Sequence, residues 1–364
     1  AGLLIRSFDR LMSVDRGFDV ERVLAADVAL PSEKYAKRDQ RSEFYRRLLD
    51  QARAMPGVTS AALVSALPLQ GETWVDIVGN EHDTREMFAR PTVNVRFISS
   101  EYFKTLGAPL RAGRAFEDMD RGRTVAIISK SVADRLFPGQ DAVGRKILHN
   151  ETVTQVVGVT SDFRSTSLDK DPVNMLYIPY WQRPRLSASL LVRSAIDPKA
   201  MSGSVREAVW SLDPEVPVPE TRTLVQIMNK SVAERRFNMS LVLAFALSAL
   251  ALASFGVYGV LAYTVARRRS EIGIRMALGA DAGSVRSLVL RQGMQPVAIG
   301  LAVGVAGALA AGRLLSSMLF RVSANDPLTV AAVAAALCAV ALAACAVPAR
   351  RATRVNPIAA LRCE

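Results

Sequence analysis

The sequence has few of the residues from which disulfides, metal sites and reactive centres are usually built. Only three cysteines and two histidines occur in 364 residues. All three cysteines lie after residue 337, so residues 1–337 hold no disulfide framework. His82 and His149 are far apart in the sequence, and neither has the spacing of a metal ligand. The sequence therefore predicts no metal site and no bound cofactor.

Two common catalytic motifs are also missing from the sequence. Neither a Gly-x-Ser-x-Gly elbow nor a Gly-x-x-x-x-Gly-Lys-Ser/Thr phosphate loop occurs anywhere in the chain. Asp76, Glu81, Asp83 and Asp162 could supply an acid–base pair, but carboxylates this common on surfaces are usually just solvated. We therefore expect that the chain is not an enzyme. A membrane-tethered enzyme stays as an alternative that turnover by the outer domain would support.

Lysine is absent from the C-terminal part of the chain, although that part is strongly basic. From Arg267 onward there are twelve arginines and four acidic residues, which contribute +8 of the formal net charge of +12. The arginines cluster between apolar runs, with no basic stripe of interleaved aromatic residues and no zinc-ligand spacing, which argues against nucleic-acid binding. Such charge fits anchoring at an anionic lipid surface, so membrane lipid is an expected partner.

Long apolar runs are what this part of the chain does have. Its three longest stretches without a charged residue contain 30, 21 and 23 residues. As helices they would be about 45, 32 and 35 Å long, against a hydrocarbon core of about 30 Å. They predict membrane spans at about residues 239–266, 293–312 and 327–349. Gly300 and Gly304 in the second predicted span could form a dimer face, pack within the chain, or reflect composition alone.

The distribution of arginine predicts the orientation of these spans. The loop of residues 267–292 holds six arginines and the tail of residues 350–364 holds four, whereas the short loop between the second and third spans holds two. By the positive-inside rule, the first loop and the tail are cytoplasmic. Three crossings then place the large N-terminal domain outside, so we expect a multi-pass protein of the bacterial inner membrane with a periplasmic domain.

Residues 23–236 alternate short β-like runs with amphipathic helices, which is typical of an α+β domain. The predicted strands are Val23–Leu30, Val58–Ser65, Thr92–Ile98, Thr124–Ile128, Thr154–Thr160 and Ala188–Val192. The predicted helices are Arg38–Ala54, Glu101–Thr105, Lys130–Leu136, Pro198–Ser211 and Leu224–Glu234. The expected fold is an α+β extracytoplasmic domain followed by an all-α membrane domain of three transmembrane helices, residues 237–364.

The first cytoplasmic loop carries the pattern of a short amphipathic helix. Ser270 is suited to cap it, and Gly279 suits a left-handed stop. Either Ile272, Met276 and Gly279 or Ile274 and Leu278 would fall on a shared side. A helix of this kind, with one apolar side, could dock into a groove of a partner, whereas the three arginines at 267–269 could merely anchor a span. The predicted partner-binding residues are Arg269, Glu271, Ile272, Gly273, Ile274, Arg275, Met276, Leu278 and Gly279.

This loop, read as Arg-Ser-Glu-Ile-Gly-Ile-Arg-Met-Ala-Leu-Gly-Ala at 269–280, resembles the signature of FtsX-like, MacB-type ABC transporter permeases. Further stretches resemble the same family in order along almost the whole chain. They are Ser-Glu-Tyr-Phe-Lys-Thr-Leu-Gly at 100–107, Gly-Arg-Ala-Phe at 113–116, Val-Ala-Ile-Ile-Ser at 125–129, Leu-Phe-Pro-Gly at 136–139, Val-Val-Gly-Val at 156–159, Phe-Gly-Val-Tyr-Gly-Val-Leu-Ala-Tyr at 255–263, Asn-Asp-Pro-Leu-Thr at 325–329 and Pro-Ala-Arg-Arg-Ala-Thr-Arg-Val-Asn-Pro at 348–357.

The resemblance implies an architecture and partners. Family members are expected to be dimers or paired halves with four helices per half, so residues 1–22 would be the end of a truncated first helix and a connector. The loop would be the coupling helix that contacts an ABC ATP-binding subunit, and a periplasmic adaptor is a further expected partner. ATP hydrolysis by that subunit would change the periplasmic domain, for efflux or export. The alternative function is an FtsX-like regulator of a periplasmic cell-wall hydrolase.

Overall fold

The computed structural model describes residues 2–72, 74–218, 220–268, 271, 274–275, 278, 281–315 and 327–352. The chain divides into two compact units. One is Val14–Glu234, which we call the α/β unit, and the other consists of Ala1–Ser13 and Arg235–Glu364, which we call the helical unit. Each is described here by itself.

The α/β unit contains eleven strands within its described residues, all joined in one sheet. The strands are β1 (Val23–Ala29), β2 (Val58–Val64), β3 (Val75–Asn80), β4 (Thr92–Ile98), β5 (Leu110–Gly113), β6 (Val125–Ser129), β7 (Lys146–His149), β8 (Thr152–Thr160), β9 (Met175–Pro179), β10 (Ser187–Ser194) and β11 (Arg222–Thr223). Its α-helices are α2 (Arg38–Ala54), α3 (Tyr102–Leu106), α4 (Lys130–Leu136), α5 (Ser202–Leu212) and α6 (Leu224–Ser231). Short 3-10 turns lie at Met87–Ala89, Asp118–Asp120 and Pro198–Met201.

The sheet has an open part and a closed part. The open part runs β11, β1, β10, β2, and β2 joins the closed part through a single residue pair, Val64 and Ile98. The closed part is a ring, because β4, β3, β7, β8, β6 and β9 pair in that order and β9 pairs back to β4 in parallel. A ring of this kind leaves no free edge among its strands.

Helix α2 covers the open part, and its sequence explains why. Its buried residues are Phe44, Tyr45, Leu48, Leu49 and Ala52, which recur at the three-to-four-residue spacing of one helical face. They pack with buried residues of β1, β2 and β10 in the main hydrophobic core, while the arginines of the same helix stay on the outside. The predicted bounds of this helix, residues 38–54, are confirmed.

A close backbone crossing links β5 to β8 in the closed part. A Cβ atom on Gly113 would lie 2.2 Å from the Val157 carbonyl oxygen, and one on Gly158 would lie 2.5 Å from the Arg114 carbonyl oxygen. Gly113 also has φ of +72°, a conformation that side chains strongly disfavour. Only glycine therefore fits on either side of this crossing.

The residues next to the crossing form a buried ion pair. Arg114 donates from Nη1 and Nη2 to the two carboxylate oxygens of Asp120, each at 2.7 Å, and the Asp120 side chain is fully buried. The backbone N–H of Glu117 donates to the same carboxylate at 2.9 Å. The Arg114 guanidinium holds the pKa of Asp120 below its ordinary value. Phe116 is buried beside this pair, edge-on to Trp181.

Five strands of the sheet were not predicted from the sequence: β3, β5, β7, β9 and β11. Four of them have six residues or fewer, which is too short for a period to stand out in the sequence. The fifth, β9, is buried throughout, so no apolar and polar positions alternate along it. The six predicted strands are present with ends shifted by at most two residues. The predicted helix at 198–211 is a 3-10 turn followed by α5, and the one at 224–234 ends at Ser231.

The helical unit consists, in its described residues, of α1 (Gly2–Met12), α7 (Ala233–Arg267), α8 (Ala282–Leu315) and α9 (Pro327–Ala352). By length and hydropathy, α7 is the one helix of the described residues that is long and apolar enough to cross a membrane. The apolar segments of α8 and α9, Gly293–Gly307 and Val330–Ala346, are shorter. Asn325 and Asp326, which begin the family-like stretch at 325–329, lie outside the described residues.

Candidate partner-binding loop

The predicted partner-binding loop lies between the ends of two long helices. Helix α7 ends at Arg267, and the backbone N–H of Arg268 still donates to the Thr264 carbonyl at 3.1 Å. At the other end, the Asp281 carboxylate accepts a hydrogen bond from the Gly283 N–H at 3.0 Å. An acidic side chain in this position satisfies a free N–H at the start of α8. The loop is thus fixed at both ends by helix termini.

One side of the loop carries charged residues. Arg275 Nη2 donates to Glu271 Oε1 at 2.9 Å, and Arg268 Nε lies 4.0 Å from Glu271 Oε2. Spacings of three and four residues place these side chains along one helical face. All three side chains are about half exposed, so this ion pair adds about 0.5 kcal/mol or less to stability. Its charges remain accessible to a partner.

A second side of the loop is apolar and exposed. The backbone N–H of Leu278 donates to the Ile274 carbonyl at 3.0 Å, which is one turn of α-helix and places both side chains on the same side. Ile274 is 45 % exposed and Leu278 is 83 % exposed. Apolar side chains exposed in this way are not buried in the chain's own core, so they are available for burial against the surface of a partner.

The other predicted residues of the loop, Arg269, Ile272, Gly273, Met276 and Gly279, lie outside the described residues, as does the predicted cap Ser270. The described part of the loop therefore has Glu271 and Arg275 on one side and Ile274 and Leu278 on another. Sequence spacing predicted the shared side of Ile274 and Leu278, whereas the ion pair of Glu271 with Arg275 was not predicted. The contact of Arg268 with Glu271 was missed, because the Arg267–Arg269 run reads equally well as a membrane anchor.

The carboxylates singled out for acid–base chemistry do not pair with one another. The Asp76 carboxylate lies 2.8 Å from His149 Nε2. The Asp83 carboxylate accepts hydrogen bonds from Nε and Nη2 of Arg85, and the Asp162 carboxylate accepts one from the Ser131 N–H at 3.0 Å. Glu81 lies 3.7 Å from His82. Within the described residues, no group of three or more potential ligands is placed to hold a metal ion. These contacts, including that of Asp76 with His149 73 residues away, were not predicted from the sequence.

The glycines of the second predicted span face open space. A Cβ atom built on Gly300, Gly304 or Gly307 would meet no heavy atom within 4 Å in the described structure. Gly300 and Gly304 line a cavity of about 510 Å³ inside the helical unit, together with apolar residues of α7 and α9. These glycines therefore do not serve a close helix contact among the described residues, which removes one of the three explanations for their spacing.

Family models match both units of the chain. The model described as "MacB-like periplasmic core domain" matches residues 9–209, and the one described as "FtsX-like permease C-terminal" matches residues 243–357. The first covers most of the α/β unit and the second covers most of the helical unit, in the order that the sequence motifs indicated.

Several bacterial exporters are similar to the chain. It is 29 % identical to the probable syringafactin export ATP-binding/permease protein SyfD of Pseudomonas syringae over 72 % of this chain and 41 % of SyfD. It is 27 % identical to the macrolide export ATP-binding/permease protein MacB of Sodalis glossinidius over 82 % of this chain and 48 % of that protein. The chain thus spans less than half of the length of these relatives.

Among solved structures, the periplasmic region of MacB from Actinobacillus actinomycetemcomitans is similar over 58 % of this chain and 94 % of that one, with 16 % identity and a TM-score of 0.39. The assignment rests on the two family models, the first of which alone covers more than half of the chain. The chain belongs to the family of MacB/FtsX-like ABC transporter permeases.

Proposed function

We propose that the chain is the permease part of an ABC-type exporter, in which ATP hydrolysis elsewhere changes the conformation of the α/β unit. The observation that carries the proposal is the order of the two matched domains, a MacB-like periplasmic core followed by an FtsX-like permease region. The names of similar proteins support export as the outcome, since SyfD and MacB are named as export ATP-binding/permease proteins.

Family membership implies a bacterial inner-membrane protein with a periplasmic domain, and a transporter component rather than an enzyme. The multi-pass arrangement is part of the proposal. We propose that α8 and α9 cross the membrane together with α7, because each contains an uncharged stretch of more than 20 residues bounded by arginine or aspartate. The arginine-rich loop and tail would then be cytoplasmic and the α/β unit periplasmic.

The ATPase belongs to another chain or domain in this proposal. No phosphate-loop motif occurs in the sequence, and the chain corresponds to less than half of relatives whose names combine ATP-binding and permease functions. The ATP-binding part would meet the permease at the cytoplasmic loop. Ile274 and Leu278 would enter an apolar groove of the ATPase, and Glu271 and Arg275 would pair at its rim.

The loop is well placed to transmit motion because it joins α7 directly to α8. A displacement of the docked loop acts on the ends of both helices at once, and α7 continues without a break from Ala233, two residues after α6 of the α/β unit. Rigid helices carry a small displacement along their length with little loss. The regulation of a cell-wall hydrolase is not favoured, because the similar proteins are named as exporters.

The test replaces the exposed apolar pair of the loop. Ile274→Asp and Leu278→Asp, alone and together, should each weaken co-purification of the full chain with its ATP-binding protein, and the double variant should abolish stimulated ATPase activity. Val153→Asp, which changes an apolar side chain of the α/β unit that is 49 % exposed, is the matched control and should leave both unchanged. Normal binding and normal ATPase activity in the Ile274→Asp, Leu278→Asp double variant would refute the proposed contact.

A charge swap tests the other side of the loop. Glu271→Arg should reduce ATPase stimulation because it places three positive charges together, with Arg268 and Arg275. The swap Glu271→Arg with Arg275→Glu restores the internal pair and should recover part of the activity. Glu43→Arg, which breaks an exposed ion pair with Arg46 on α2, is the control.

A further inference from the structure

A fixed tryptophan lies at the start of β3 in the α/β unit. The Trp74 indole Nε1 donates to Asp76 Oδ2 at 2.8 Å, and the same oxygen lies 2.8 Å from His149 Nε2. Burial raises the pKa of Asp76, but hydrogen bonds from Asn150, His149 and Trp74 outweigh it and lower the pKa below its ordinary value. The Asp76 carboxylate is therefore ionised and already contacts Trp74 and His149, and its hydrogen bond with Trp74 holds the indole ring in one orientation.

Two arginines from the segment between β9 and β10 stack on this ring. The Arg185 guanidinium carbon lies 4.2 Å from the centre of the Trp74 ring, and that of Arg183 lies 5.2 Å from the same centre. Arg185 also lies 5.2 Å from the centre of the buried Phe97 ring. One aromatic surface thus holds two cations, and each cation–π contact fixes a guanidinium that would otherwise be mobile.

The two guanidiniums have no acceptor in the described structure. Neither side chain donates a hydrogen bond or forms an ion pair among the described residues, although both are partly buried. Burial, and after it the positive charge of Arg183, lowers the pKa of Arg185. The negative charge of Asp76 opposes this shift without reversing it, so the repulsion between the two guanidiniums is only partly offset and a bound anion would reduce it further.

Another stacked arginine of the same unit does have a carboxylate partner. Arg121 lies 4.9 Å from the centre of the Trp181 ring, and its Nε donates to Asp118 at 3.1 Å. That cation has its own carboxylate. At Trp74, the nearby carboxylate of Asp76 is already engaged by the indole and by His149, so the forked donors of Arg183 and Arg185 remain available.

We propose that Trp74, Arg183 and Arg185 form a binding site for the oxyanion, carboxylate or phosphate, of a soluble ligand. Guanidinium forks bind both groups with two parallel hydrogen bonds, and the stacked rings hold the forks ready. The bound oxyanion neutralises the repulsion between the two arginines. The site does not depend on the cytoplasmic loop or on ATP, so an experiment can refute it without refuting the proposed export function, and the reverse also holds.

The experiment titrates the full chain in detergent with succinate, inorganic phosphate or chloride at equal ionic strength. Isothermal titration calorimetry and tryptophan fluorescence follow binding. We expect saturable binding of succinate or phosphate, with the stronger of the two identifying the oxyanion, and none of chloride. Arg183→Gln and Arg185→Gln should each weaken binding about tenfold or more, and Arg185→Lys should also weaken it because lysine cannot form the fork.

Arg121→Gln is the matched control, since it removes a stacked arginine that already has a carboxylate, and it should bind as the unaltered chain does. Arg185→Lys keeps the charge and stays informative if Arg185→Gln melts at a lower temperature. Three results would overturn the proposal. They are no saturable binding of either oxyanion up to about 10 mM, equal binding of chloride, or unchanged binding in both Arg185 variants.

Discussion

The two units of the chain use glycine and apolar side chains in opposite ways. In the α/β unit, Gly113 and Gly158 lie where a Cβ atom would come within 2.5 Å of a backbone oxygen. In the helical unit, Gly300 and Gly304 face a cavity in which a Cβ atom would meet nothing within 4 Å. Glycine is required at the first two positions because no side chain fits there, whereas the described structure leaves space for a side chain at the second two.

Large apolar side chains show the same difference. In the α/β unit most of them fill the core, and the Asp120 carboxylate that is buried with them is paired with Arg114. In the helical unit, Phe245 and Phe255 are both 72 % exposed. An apolar surface of this kind requires lipid or protein around it. Contacts within the α/β unit therefore bury most of its large apolar side chains, whereas those of the helical unit must be covered by its surroundings.

The largest expected effect comes from filling the close crossing. Gly158→Ala or Gly113→Ala should lower the free energy of unfolding of the α/β unit by about 3 kcal/mol or more, because the new methyl group meets backbone atoms that cannot move aside. All three tryptophans, at 74, 181 and 210, lie in this unit, so the fluorescence melt of the full chain reports on it alone. Gly304→Ala is the matched control, and its melt should coincide with that of the unaltered chain. Equal melts for Gly158→Ala and Gly304→Ala would remove the contrast between the units.

A smaller effect should follow the loss of the buried ion pair. Arg114→Met leaves the fully buried Asp120 carboxylate with the Glu117 N–H, and we expect a loss of about 2 kcal/mol. Adding Asp120→Asn should recover part of this loss, because the uncompensated charge disappears. Arg46→Met, on an exposed pair with Glu43 that solvent screens, should cost much less. If Arg114→Met and Arg46→Met cost the same in urea unfolding, the buried pair has no special role.

The smallest effect concerns acid. Hydrogen bonds from Arg85 lower the pKa of Asp83 to about 2, below the ordinary value of 3.8. A carboxyl group with a lowered pKa stabilises the folded state above pH 3.8, and that contribution is lost as the pH falls from about 4 to about 2. Asp83→Asn should therefore flatten the pH dependence of the fluorescence melt in this window. The control is Asp118→Asn, whose side chain is 88 % exposed and which should leave the slope of melting temperature against pH unchanged. A steeper slope for Asp83→Asn would contradict a stabilising ion pair between Asp83 and Arg85.

Sequence patterns predicted the features that depend on local spacing. Helix α2 was predicted at its observed bounds because its apolar residues recur at helical spacing, and the shared side of Ile274 and Leu278 follows from their i and i+4 positions. What was missed depends on residues distant in sequence. The ring of strands closes through β9, a short buried strand without alternation, and the Trp74 site joins residues more than 100 positions apart. No local signal marks either one.

The proposal predicts that ATP hydrolysis by a partner docked at the cytoplasmic loop changes the α/β unit, and hydrogen exchange measures this directly. Peptides of residues 14–234 should be compared by mass spectrometry in the assembled complex, without nucleotide, with ATP and with a non-hydrolysable analogue. We expect nucleotide-dependent exchange in these peptides, and we expect Ile274→Asp with Leu278→Asp to abolish the difference while Val153→Asp keeps it. Identical exchange in the unaltered complex with ATP and without nucleotide would contradict the account.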